Sequence, residues 1–242
     1  SRFMAKRALG VRLIDPEKPQ NYTEGHLVER VQRLCSQANL SRLPEIGIYQ
    51  SPEVNAFATV PSKNRSLLGV STGLLEHMDD QAVEGVLGHE ISHIANGDMV
   101  TMTMVQGVVN TFVMFFARVI AFALDNFLRS RDRDSHGLGY FGHMMVVFIL
   151  ESVLMLLASP VIYWFSRWRE YRADAGSARL TSRETMIYAL ESLKKCKDMV
   201  DTRQASLSTL KINGQGHGLI ALIYSSHPPL EARIRALQKI ST

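Results

Sequence analysis

The stretch GHEISHIANGD, Gly88 to Asp98, sets two histidines four residues apart with a glutamate directly after the first. On a helix this spacing is about one turn, so His89 and His93 share a face and both imidazoles can reach one metal ion. Glu90 stands beside them, placed for a water molecule on that ion. The ligand types suit zinc, one ion per chain, without excluding other divalent metals. The same spacing also arises by chance on ordinary surface helices, so the surroundings matter. Asp79 and Asp80 can cap the helix and Asn96-Gly97 can stop it. Ala82, Val83 and Val86 make its other face apolar, and Gly85 and Gly88 leave room for a second helix to come close.

A catalytic zinc takes three protein ligands and keeps one position open. One common arrangement, HExxHxxGxxH, sets a third histidine six residues past the second, and here that position is Met99. His26, His77, His136, His143, His217 and His227 remain, together with the carboxylates. The strongest candidate is Glu170 in WREYRAD, expected to open a helix just after a long apolar run, with Asp174 one turn later on the same face. Glu170 can then ligate the metal while Asp174 accepts a hydrogen bond from the far nitrogen of His89 and fixes its tautomer. Ala173, Ala175 and Ala178 would let this helix pack on the glycine-bearing one. Taken alone, Glu170 also reads as a solvated charge at the end of an apolar span.

The elements that must position these residues follow from periodicity. Apolar residues at Leu27, Val28, Val31, Leu34 and Cys35 form one face of a helix capped by Thr23. EIGIYQ, VNAFATV and SLLGVS are strand-like runs separated by turn residues. Next come the metal-motif helix and then Met99–Leu124, whose one charge is Arg118. This run is long enough, at about 1.5 Å per residue, to cross a hydrocarbon layer of about 30 Å. A polar link, DNFLRSRDRDSHG, leads to a second apolar run, Leu138–Phe165, interrupted by His143 and Glu151. Charge returns in SRWREYRAD, helical patterning continues through Lys197, a Gly/Ser-rich loop spans roughly Thr202 to Gly218, and SSHPPLEARIRALQKI reads as a Pro-started helix. The two apolar runs read as a transmembrane hairpin, the alternative being a pair of buried core helices. The fold class is therefore α+β: a mainly helical HExxH-type zinc-metalloprotease domain with a small sheet. Residues 1–98 and 166–242 form its halves, and a helical hairpin over 99–165 interrupts it. A hairpin leaving the membrane on the side it entered would bring Glu170 back beside His89 and His93.

Composition adds limits. The 242-residue chain carries a net charge of +4, too small and too dispersed for nucleic-acid binding. Its two cysteines, Cys35 and Cys196, lie far apart without a CxxC partner and read as reduced thiols or buried fillers. The chain starts at Ser1 inside a basic, partly apolar stretch, with no signal peptide and no initiator methionine. That start is expected of a fragment.

GHEISHIANGD, WREYRAD and the terminal SHPPL, in that order around an apolar hairpin, resemble the HtpX family of bacterial membrane zinc proteases, relatives of the CAAX prenyl proteases. The likeness runs over essentially the whole chain. It implies a protein of the bacterial inner membrane, multi-pass, acting in quality control of damaged membrane proteins, with two further spans upstream of Ser1. It also implies two more site residues. Asn55, in NAFATV, matches an asparagine before the strand that lines the cleft, and His227, in SHPPL, matches a histidine placed to stabilise the oxyanion. Both are donors of the kind a tetrahedral intermediate needs.

The expected chemistry is peptide hydrolysis, with zinc on His89, His93 and Glu170 and with Glu90 as general base. Ala56, Phe57, Ala58 and Thr59 would form an edge strand that holds polypeptide substrates in extended form. Arg2, Lys6, Arg7, Arg167, Arg169 and Arg172 flank the hairpin on the catalytic side. They outnumber Arg129, Arg131 and Arg133 of the link, which favours a cytoplasmic active site in contact with the lipid bilayer. Within the hairpin, Arg118 and Glu151 are costly unless paired. A membrane chaperone or scaffold with a structural zinc, and a hydrolase of small amides, remain as rivals. Glu90, which a structural site does not need, argues against the first.

Overall fold

The computed structural model describes residues 10–62, 65–131, 138–205 and 228–239. These residues fall into two compact units. One contains the chain up to Thr101, the stretch from Arg167 to 205 and the C-terminal helix, and the other contains Met102–Ser166.

In the first unit, helix α1 (Tyr22–Gln37) buries the expected stripe of Leu27, Val28, Val31, Leu34 and Cys35. Its cap is Asn21, not Thr23: the Asn21 side chain accepts the Glu24 N–H at 2.8 Å, and Thr23 lies inside the first turn. Both are good capping residues, and the tie is broken by Glu24. Glu24 is itself buried, accepting from the Gln20 N–H at 2.8 Å and from Arg12 at 2.6 Å. Those contacts fix the helix start and fasten it to strand β1 (Arg12–Leu13), which is too short to show any alternation in sequence.

Strands β2 (Glu45–Tyr49), β3 (Ala56–Ser62) and β4 (Arg65–Ser71) complete a sheet of order β1-β2-β4-β3. The β2–β4 pair is parallel and the other two pairs are antiparallel. β3 is an edge strand, as expected of AFATV. Opposite Phe57 in the register stands Gly69, and a Cβ there would lie 2.5 Å from the Phe57 ring. The missing side chain leaves the slot in which that ring lies. Helix α2 (Thr72–His77) follows directly, capped by the Ser71 hydroxyl.

Helix α3 (Asp80–Asn96) carries the metal motif. Asp79 caps it, accepting from the Ala82 N–H at 2.9 Å, and Gly97 ends it in the left-handed conformation with φ +68°. Both boundaries are those expected. Two helices press on its glycines. A Cβ on Gly85 would lie 2.6 Å from Ala189 Cβ and 2.9 Å from the Thr185 carbonyl oxygen, and one on Gly88 would lie 2.6 Å from Ser177 Oγ. Ser177 also donates to the Gly85 carbonyl at 2.9 Å. The small-residue seam thus runs through Ala173, Gly176 and Ser177, while Ala175 and Ala178 are only partly buried.

Helix α4 (Asp98–Arg131) continues well past Leu124, so the first part of the polar link is helical. Helix α5 (Gly139–Leu180) runs unbroken through the second apolar run and the REYRAD segment. Glu170 therefore does not open a helix. The return of charge after Phe165 marks a change of surroundings with no change of backbone, because nothing from Phe165 to Glu170 is a strong helix breaker. Helix α6 (Arg183–Ala205) starts anew after Thr181-Ser182 and extends four residues into the stretch expected as loop from Thr202. The remainder of that stretch lies outside the described residues. Helix α7 (Leu230–Gln238) begins after Pro229, as expected.

The second unit contains most of two helices long and apolar enough to cross a membrane. Their large side chains, among them Phe112, Phe115, Phe122, Phe148, Leu157 and Trp164, are exposed, so the buried-core alternative does not hold for this pair. Polar groups along them are satisfied locally. Thr111 donates to the Gly107 carbonyl at 2.9 Å and Ser152 to that of Phe148 at 2.8 Å. Pro160 cannot donate to the Leu156 carbonyl, and the Ser159 hydroxyl does so instead at 2.8 Å. Arg118 and Glu151 do pair, at 3.1 Å.

Candidate metal centre and substrate cleft

The site begins with the spacing on α3. His89 and His93, one turn apart, bring their Nε2 atoms to 3.1 Å. Glu170, from α5, reaches both: one carboxylate oxygen lies 3.6 Å from His89 Nε2 and the other 3.5 Å from His93 Nε2. Ligands at about 2.0–2.1 Å around a tetrahedral ion sit roughly 3.3 Å from one another. The donor atoms of His89, His93 and Glu170 all lie within 4.8 Å of one another, and no other such group occurs among the described residues. The donor set and its spacing therefore fit one metal ion.

The far ring nitrogens are held by carboxylates. His89 Nδ1 is 2.9 Å from Asp174 Oδ1, as the sequence suggested, and His93 Nδ1 is 2.6 Å from Asp98 Oδ2. With both Nδ1–H groups donating, the two Nε2 lone pairs point toward Glu170. Burial opposes charge on His89, yet its hydrogen bonds to Asp174 and Glu170 outweigh that and raise its pKa to about 9 in the metal-free site.

Arg233, on α7, completes the support. Its guanidinium grips Asp174 in a bidentate pair at 2.8 and 2.5 Å, and both partners are buried. Burial works against ionisation of each. The mutual attraction outweighs it, lowering the Asp174 pKa and raising that of Arg233. Sequence reasoning missed Arg233 because 59 residues separate it from its partner. It missed Asp98 although that residue closes the GHEISHIANGD motif: nothing in a linear pattern says that a side chain five residues past His93 folds back onto it.

Glu90 opens on a cleft of about 370 Å³ whose lining includes Asn55, Ala56, Phe57 and Ala58 on the edge-strand side and Val86, Met186 and Leu193 as apolar walls. Desolvation in this cleft raises the Glu90 pKa. The two histidines and the Ala58 N–H pull it down, and Glu170 pushes it up. Arg169 also lines the cleft, 3.4 Å from Glu170, with its Nε unpartnered. Thr59 lies beyond the lining residues, and His227 lies outside the described residues. Among the other described histidines, His26 lies against the Tyr22 ring at a tilt of 44°, and neither it nor His77 nor His143 joins the donor group.

A helix-borne histidine pair, a carboxylate from a second helix and a desolvated glutamate facing an open strand edge together make a site suited to metal-dependent hydrolysis of an extended chain. Comparison with known proteins agrees. The Peptidase family M48 model matches residues 21–241. The chain is 52% identical over 239 residues to a Protease HtpX homolog of Bacillus licheniformis, covering 98% of this chain and 77% of that protein. It is 50% identical over 245 residues to a Protease HtpX homolog of Methylacidiphilum infernorum, covering 99% and 79%. It is 51% identical over 238 residues to Protease HtpX of Shewanella pealeana, covering 98% and 81%. The chain belongs to peptidase family M48 and, within it, to the HtpX proteases. The fold is similar to that of Ste24p from S. mikatae, with a TM-score of 0.60 at 19% identity. That match covers 98% of this chain, which spans 56% of the Ste24p chain.

Proposed function

We propose that the protein is a zinc-dependent endopeptidase of the bacterial inner membrane, multi-pass, cutting misfolded or damaged membrane proteins at the cytoplasmic face. In this reading residues 1–98 and 166–242 are the halves of one protease domain, and the hairpin over 99–165 anchors it in the lipid bilayer. The observation that carries the reading is the convergence of His89, His93 and Glu170 beside Glu90 in a cleft bordered by an edge strand.

His89, His93 and Glu170 would hold the ion, and Asp174 keeps His89 in the required tautomer. Zinc, when bound, supplies Lewis acidity to the attacking water and to the scissile carbonyl. Glu90 accepts the proton of the attacking water and later returns it to the leaving amine. Desolvation raises its pKa, which favours holding the proton until the amine leaves. The open edge of β3, over Ala56, Phe57, Ala58 and Thr59, accepts an extended substrate by strand addition, which reads little sequence. Asn55 and His227 donate to the developing oxyanion. The arginine excess on the catalytic side supports the cytoplasmic orientation.

The test is cleavage of an unfolded protein by the purified chain in detergent, with zinc content measured in parallel, for wild type and Glu90→Gln. The expected outcome is retained zinc and a rate lower by about 10²–10⁴-fold. Full zinc with no cleavage by either protein would favour a chaperone or scaffold in which the metal is structural.

A further inference from the structure

Two carboxylates hold the two histidines, but in unlike company. Asp174 divides its charge between His89 and the bidentate Arg233. Asp98 is 3% exposed, and among the described residues His93 is its one side-chain partner, at 2.6 Å. A left-handed turn at Gly97 makes that contact possible. A Cβ at Gly97 would meet nothing within 4 Å, so glycine serves there for its backbone conformation, with φ +68°. The turn ends α3 and starts α4 in one step, returning Asp98 to a ring only five residues behind it.

We propose that Asp98 is a positioning residue for the metal centre: through the His93 Nδ1–H it orients that ligand and strengthens its Nε2 as a donor. This rests on the metal-site reading above. Without it, the carboxylate would serve only as an acidic residue at the first turn of α4, favourable to the helix dipole. The two roles separate experimentally, because the helix role does not affect metal affinity.

The measurement is the zinc dissociation constant of the whole detergent-solubilised chain, by chelator competition, for wild type, Asp98→Asn and Asp98→Ala. The visible spectrum of the cobalt(II)-loaded proteins and the melting temperature of the metal-free proteins accompany it. Asp98→Ala is expected to bind zinc about 10–100-fold more weakly, with an altered cobalt spectrum. Asp98→Asn, which keeps an acceptor for Nδ1–H without the charge, falls between wild type and Asp98→Ala. It should leave the metal-free melting temperature unchanged, and it keeps the test valid if the alanine variant does not fold. Zinc affinities of both variants within about twofold of wild type, with an unchanged cobalt spectrum, would overturn the proposal and leave the metal-site reading standing. A wild-type chain that binds no zinc would remove both.

Discussion

The two units treat charge in opposite ways. Around the metal centre, Glu170, Asp174, Arg233 and Asp98 are all buried, and each is matched by groups the protein supplies. Along the hairpin the described structure has a single pair of opposite charges from different helices, Arg118 and Glu151, both partly open and set among exposed apolar side chains. The first unit solves the cost of burial internally, by pairing. The second leaves its apolar surface to be covered from outside, the distribution expected of a membrane protein. Polar groups in a protein interior need specific partners, whereas lipid-facing helices need satisfied backbones and little else.

The comparison can be broken most severely at Asp174 and Arg233. Removing one partner leaves the other charge buried without its bidentate contact, Asp174 left to His89 and Arg233 to Glu170 at 3.8 Å, which costs about 3–5 kcal/mol. Asp174→Ala and Arg233→Met should each lower stability by about that amount, measured by denaturant unfolding in detergent. The double variant Asp174→Leu/Arg233→Met should recover much of the loss in stability. It should not recover metal affinity, because His89 would still lack its acceptor. A single variant as stable as wild type would show that the pair contributes nothing to the scaffold.

A smaller effect of opposite sign in the two units is expected at glycines. A Cβ added at Gly85 would lie 2.6 Å from Ala189 Cβ and 2.9 Å from the Thr185 carbonyl oxygen, and neither can swing aside. Gly85→Ala should therefore cost about 1–3 kcal/mol of overpacking, partly offset by about 1 kcal/mol of helix propensity. At Gly107, inside α4, an added methyl would meet nothing within 4 Å, so Gly107→Ala gains the propensity without the clash. Thermal unfolding in detergent should move down for the first and stay level or rise for the second. Equal shifts for both would mean that the seam between α3 and α6 is loose.

These glycines also show what a linear pattern can carry. Close approach at Gly85 and Gly88 was legible, as were both caps of α3, the stripe on α1 and the edge strand, because each depends on residues within a turn or two. The convergence of His89, His93 and Glu170 was legible because histidine and glutamate chemistry narrows the choices sharply. The Glu170-bearing helix was expected against the glycine-bearing one, and Gly88 does receive α5; that α6 would fill the Gly85 notch was not legible, since sequence separation says nothing of it. The unbroken course of α5 was obscured by composition, since the step from Phe165 to Arg169 resembles an element boundary. Arg233 and Asp98 were missed for the same reason from two directions. Their roles exist only once α7 meets α5 or the turn at Gly97 reverses the chain.

The smallest expected effect lies at Arg118 and Glu151. Arg118 donates at once to Glu151, at 3.1 Å, and to the Met114 carbonyl of its own helix, at 2.9 Å. Its long stem can also carry the charged head toward an interface once its partner is gone. Glu151 has a shorter reach, but its side chain is 33% exposed. Both charges are thus far less enclosed than Asp174 and Arg233, which are buried. Polar contacts between membrane helices average about 0.6 kcal/mol in double-mutant cycles, with about 1.7 kcal/mol as an upper value. The cycle Arg118→Leu, Glu151→Leu and the double variant, followed by unfolding in mixed micelles, should give a coupling in that range. The charge swap Arg118→Glu/Glu151→Arg should restore part of what either single swap loses. A coupling as large as that of the buried pair would mean that protein, not lipid, covers this face of the hairpin, and the contrast between the two units would then fail at that point.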